Sequence, residues 1–71
     1  MRMSGHATRQ AESLGVHPKA VLLAAREPSV TYTNRRHPHQ RRHVRGDICA
    51  VVDLPEMKVV TFYLDGDKQF A

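Results

Sequence analysis

Residues 35–45 read Arg-Arg-His-Pro-His-Gln-Arg-Arg-His-Val-Arg, with five arginines, three histidines and no acid. Arginine forks match phosphate oxygens two at a time, and imidazole moves protons close to neutral pH. The segment therefore holds the groups needed to bind a phosphodiester and to work on it. The chain carries eleven Lys and Arg against seven Asp and Glu, a formal charge of +4. Outside the segment it keeps only six basic residues against the same seven acids, so the charge is one cationic stripe on a near-neutral scaffold. Such a stripe steers polyanions in over a Debye length. Arg35, Arg36, Arg41, Arg42 and Arg45 are the candidate phosphate-binding residues, and RNA is the first candidate partner. In an extended segment Arg41, His43 and Arg45 share one face at a spacing of about 6.6 Å, which tracks the phosphates of a single strand. The plainer use of the same charges is to keep a solvated edge strand from pairing with another chain. Bases find few stacking partners, only Tyr32, Phe62 and Tyr63, so weak base reading is expected.

RNA cleavage needs a base for the 2′-hydroxyl, a cation for the charge that builds on phosphorus, and an acid for the leaving oxygen. His6 is the candidate base, Arg42 or Arg45 the cation, and His43 the acid, with no metal required. An ordinary surface histidine is the plainer reading of His6. Arg9, Thr61 and Tyr63 are accessory candidates: a guanidinium on the same helix as His6, and two hydroxyls on one face of the last strand. His37, His39 and His43 suggest a metal site, but five arginines around them disfavour a divalent ion and no acid in the segment orients an imidazole. Neither metal nor cofactor is expected. Cys49, the single cysteine, allows no intrachain disulfide and reads as a small core residue.

These groups must be held by one small domain, since 71 residues bury roughly 60% of their unfolded surface. The thin margin that follows makes a homodimer a candidate state. The longest apolar stretches, near Val21–Ala25 and Ile48–Val52, are far too short for a bilayer, and a cysteine-poor chain without a leader-like start points to the cytoplasm.

Residues 4–14 predict a first helix, capped by Ser4 and stopped by Gly15, with Ala7, Ala11 and Leu14 as its apolar stripe. A second helix opens at Pro18 and ends before Pro28, burying Val21, Leu22 and Ala25, and the short link predicts a helical hairpin. The period then changes from helix to strand. Val30–Thr33, Arg41–Arg45, Ile48–Asp53 and Lys58–Leu64 predict strands, with turns at Gly46-Asp47 and Leu54–Met57. The third and fourth are apolar on both faces, which suits central positions under helices on one side and a second cover on the other. Residues 65–71 predict a fraying tail, leaving an ordered core of about 5–64. The expected fold is α+β, two N-terminal helices packed on a three- to four-stranded antiparallel sheet.

This order of elements resembles a small family of unknown function grouped with the RelE- and BrnT-like toxins. The resemblance rests on His6-Ala7, on Gly15-Val16 after the first helix, and on Pro28 after the second. It continues in Arg41-Arg42-His43-Val44-Arg45-Gly46-Asp47-Ile48 and in Val59-Val60-Thr61-Phe62-Tyr63. It implies a RelE-like fold, metal-independent ribonuclease activity of the toxin–antitoxin kind, and an antitoxin as partner. The family pattern places arginines four and eight residues after the histidine; here those positions are Gln10 and Leu14. Arg9 is one residue out, about 100° around the helix. A non-catalytic regulator that docks its basic strand on an acidic protein surface or on nucleic acid is the alternative.

Overall fold

The computed structural model describes residues 1–64 as two helices on one five-stranded sheet. The elements are β1 (Arg2–Met3), α1 (Gly5–Leu14), α2 (Pro18–Arg26), β2 (Val30–Thr33), β3 (Gln40–Arg45), β4 (Ile48–Asp53) and β5 (Lys58–Leu64). The sheet order is β1-β5-β4-β3-β2. The α+β class holds, but the sheet has five strands rather than three to four. It is mixed rather than antiparallel, because β1 pairs parallel to β5. β1 also precedes the helices. Two residues show no periodicity, and the strand exists only through pairing with Lys58 and Val59, far off in sequence. The expected tail lies outside the described residues.

The helices start and stop for local reasons. Ser4 Oγ accepts from the Ala7 amide at 3.0 Å. Gly15 adopts a left-handed φ of 70°, and the Val16 amide reaches back to the Ala11 carbonyl at 2.9 Å. This places Val16 against the core. Leu14, expected on the buried stripe, is 51% exposed, because the chain turns there and Val16 takes up the apolar contact. The imidazole of His17 caps α2 by accepting from the Lys19 amide, and Pro18 follows in the first turn. In α2, Ala24 is fully buried while Leu22 is only half-buried, a one-residue rotation of the expected face. A small residue lets the helix sit close to the sheet. α1 lies over β5 and α2 over β3 and β4, so each helix leans on the sheet more than on its neighbour.

The sheet has two faces. Ala50 and Val52 of β4 and Val59 and Phe62 of β5 join Ala7, Ala11, Val21, Ala24 and Ala25 in the core under the helices. Val44, Cys49 and Val51 are buried as well, but outside that cluster, on the face opposite α1 and α2. A register shift opposite Val51 and Val52 leaves Val60 as the extra residue of β5, a bulge in a strand of the open face.

Candidate nucleic-acid interface

Strand alternation divides the basic segment. In β3, Arg41, His43 and Arg45 pair with Val52, Ala50 and Ile48 of β4, the helix-covered side. Gln40, Arg42 and Val44 pair with Asp53, Val51 and Cys49, the open side. The expected sharing of faces is present, but the face of Arg41, His43 and Arg45 is the one beneath α2.

Two of those three residues are engaged there. The His43 ring lies 2.7 Å from the Ala25 carbonyl through Nδ1, and since a carbonyl only accepts, Nδ1 carries the hydrogen. Its other nitrogen, Nε2, is buried without a hydrogen-bond partner. An Arg45 guanidinium nitrogen donates to the Glu27 carbonyl at 2.8 Å. Both side chains thus satisfy carbonyls at the C-terminal end of α2, where cationic and donor groups are favoured. Arg41 is exposed beside them.

The open face gathers the rest. A pocket of about 300 Å³ is lined by Asn34, Arg36, His37, Gln40, Arg42, Val51, Val60, Thr61 and Tyr63. Its neighbour, of about 250 Å³, is lined by Thr33, Asn34, Arg35, Arg36 and Arg42. The loop between β2 and β3 brings Arg35 and Arg36 to Arg42 through a set of short bonds. Asn34 Oδ1 accepts from the Arg36 amide, and Asn34 Nδ2 donates to Gln40 Oε1. The His37 amide donates to the Asn34 carbonyl and the Gln40 amide to the His37 carbonyl, folding the loop back on itself. The first pocket thus joins the apolar Val51 and Val60, Thr61 and Tyr63 of β5 and the guanidinium groups of Arg36 and Arg42, and the second adds that of Arg35. Among the described residues, no carboxylate lines either pocket.

The residues proposed for cleavage are not gathered in one place. Arg42 is on the open face, His43 faces α2, and His6 is exposed on the second residue of α1 without lining either pocket. Arg9 is exposed and folds back over Gly5. Thr61 and Tyr63 do share a face with Arg42, and Thr61 Oγ1 donates to Gln10 Oε1 at 2.8 Å. His37 and His39 meet edge to face, with ring centroids 5.7 Å apart. Among the described residues, no three His, Cys, Asp or Glu side chains gather as a metal site would need. Nor is any helix among them long and apolar enough to cross a membrane.

Gln40 could have been found from the sequence, two residues before Arg42 on an alternating strand. Asn34, Val60 and Gln10 could not, because a loop bend, a bulge and a helix reaching around a strand edge place them. No family model, no curated protein and no solved structure matches this chain.

Proposed function

We propose that this domain binds single-stranded RNA on the open face of its sheet, as a RelE-like, toxin-type domain of the cytoplasm. The observation that carries this is the convergence of Arg35, Arg36 and Arg42 on adjoining pockets that no acid among the described residues lines. Guanidinium forks hold phosphate, and an apolar floor beside Tyr63 gives one base a surface to rest on. The RelE-like reading draws support from the run of two helices followed by an antiparallel meander, from Gly15 and Pro28 at the helix ends, and from the Arg-rich strand entering the Gly46 turn. In that reading the domain cleaves RNA without a metal, with His6 as the base.

Binding without cleavage is the second reading, and one observation favours it. Arg42 and His43 face opposite sides of β3, and the remaining His43 nitrogen is buried. A binder of this kind blocks or recruits its target by occupancy.

Incubating the purified protein with mixed RNA in the presence of a chelator separates these outcomes. A mobility shift that fades with salt is expected. Fragments that form despite the chelator support the ribonuclease, and intact shifted RNA supports the binder. RNA that neither shifts nor breaks excludes RNA as the partner and leaves an acidic protein surface. If fragments form, His6→Ala should remove them while the shift stays; fragments at the wild-type rate take His6 out of the reaction.

A further inference from the structure

The two edges of the sheet are built in opposite ways. At the β5 edge the chain covers its own backbone. β1 pairs with Lys58 and Val59, Ser4 donates through its amide to the Val59 carbonyl and through Oγ to the Val60 carbonyl, and Gln10 Nε2 donates to the Phe62 carbonyl. At the other edge, among the described residues, β2 ends the sheet. Its four residues, Val30-Thr31-Tyr32-Thr33, are all exposed. They are β-branched or aromatic, and they include no charge, no proline and no bulge. Those are three of the devices by which an edge strand is kept from pairing, and the four residues of β2 have none of the three.

We propose that β2 pairs antiparallel with β2 of a second copy, joining the two sheets into one of ten strands. The symmetry selects the register. A two-fold axis between antiparallel strands stands perpendicular to the sheet and keeps each residue on its own face, so the axis must pass beside a residue rather than between two. With the axis at Thr31, Thr31 meets its own copy on the helix side. On the open side Val30 of each copy meets Tyr32 of the other, a β-branched residue against an aromatic one. Both are large hydrophobic side chains left exposed in the single chain, at 40% and 37%.

The basic residues do not oppose this pairing. Thr33, the last residue of β2, lies two residues from the axis, so its copies stand about 13 Å apart along the strands at ~3.3 Å per residue, and Arg35 follows beyond the bend at Asn34. The two β3 strands that carry Arg42 are three strand spacings apart, about 14 Å. Both separations exceed the Debye length of about 8 Å at physiological salt. A second copy is favoured over an unrelated extended peptide because the strand is complementary to itself on both faces. Pairing over the three residues Val30–Tyr32 is smaller than a standard interface of about 1,200–2,000 Å², so the dimer is reversible and concentration-dependent. One consequence rests on the proposed RNA reading: the two open faces become continuous, and one strand of RNA can meet both.

Sedimentation of the full chain without RNA, from low micromolar to near millimolar protein, tests the pairing. The mass should climb from 8.1 kDa toward twice that value. Thr31→Lys should hold it at the single-chain mass, with an unchanged circular dichroism spectrum to show that the fold is intact. Thr31→Cys supplies a second readout, since side chains opposed across the axis stand within disulfide reach. It should form a covalent dimer under mild oxidation at least ten-fold faster than Glu12→Cys, an exposed control on α1. A single-chain mass at every concentration, or equal cross-linking of the two cysteine variants, overturns the proposal. A Thr31→Lys variant that still dimerises overturns it as well, whereas failure of the dimerising wild-type chain to bind RNA counts against the RNA reading alone.

Discussion

The two faces of this sheet share the same strands and do different work. Under the helices, β3 contributes His43 and Arg45, and both are spent on carbonyls at the end of α2. On the open side Arg42 joins Arg36 at a pocket lined by Val51 and Val60, and Arg35 at the pocket beside it. A run of charge along a sequence is therefore not one surface. A strand distributes alternate residues to opposite environments, and each half must be judged by what it meets. One half closes a helix end, and the other lines a pocket.

The difference can be broken from its structural side first. Phe62 is the largest fully buried side chain and sits under α1 and α2 with Ala50 beside it on β4. Phe62→Ala should destabilise by about 3–5 kcal/mol, enough to unfold a domain of this size, as a thermal melt would register. Val52 and Val51 then give a matched pair, adjacent in sequence and facing opposite ways. Val52→Ala should cost about 2–3 kcal/mol, from two lost methyls and an enclosed cavity. Val51→Ala should cost about 1 kcal/mol, because the gap opens into the pocket. Equal losses in denaturant titrations would mean that the open face is packed as tightly as the covered one.

Gln10 spans the boundary between the two faces, reaching from α1 around the β5 edge to the Phe62 carbonyl and the Thr61 hydroxyl. Gln10→Ala should lower stability by about 1–2 kcal/mol and speed hydrogen exchange of the β5 amides. The smallest effect belongs to a surface pair far from either face. Lys58 lies 2.8 Å from Glu56 and, through that bond and its charge, holds the exposed Glu56 carboxyl below its ordinary pKa of 4.5. A lowered folded pKa adds stability that is present above pH 4.5 and is lost as the pH falls through the lowered value. Glu56→Gln should lower neutral-pH stability slightly and leave stability at low pH unchanged, so that this part of the acid limb disappears.

Most of the fold was legible in the chain because its signals are local. Ser4, Gly15, Pro18 and Pro28 punctuate the helices, and a change of period after Pro28 marks the strands. β1 was not legible, because its pairing is made with residues more than fifty positions away. The site was half legible. Charge singled out the arginines that line the two pockets, and alternation separated Arg42 from Arg41 and Arg45. Nothing in the sequence says which face the helices will cover, and that assignment decides the role of each basic residue. The expectation that Arg41, His43 and Arg45 form the phosphate row met an α2 that covers their side. The pocket came instead from a bend at Asn34 and a bulge at Val60, features set by tertiary pairing.

The claim that the open face alone holds phosphate is tested most directly by the salt dependence of binding to a single-stranded RNA, measured for Arg42→Ala and Arg41→Ala side by side. Each phosphate contact on a single strand contributes about 0.7 to the slope of log affinity against log salt. Arg42→Ala should flatten the slope by about 0.7, and Arg41→Ala should leave it where it was. A slope unchanged in Arg42→Ala, or flattened equally in both, would contradict the division of the two faces.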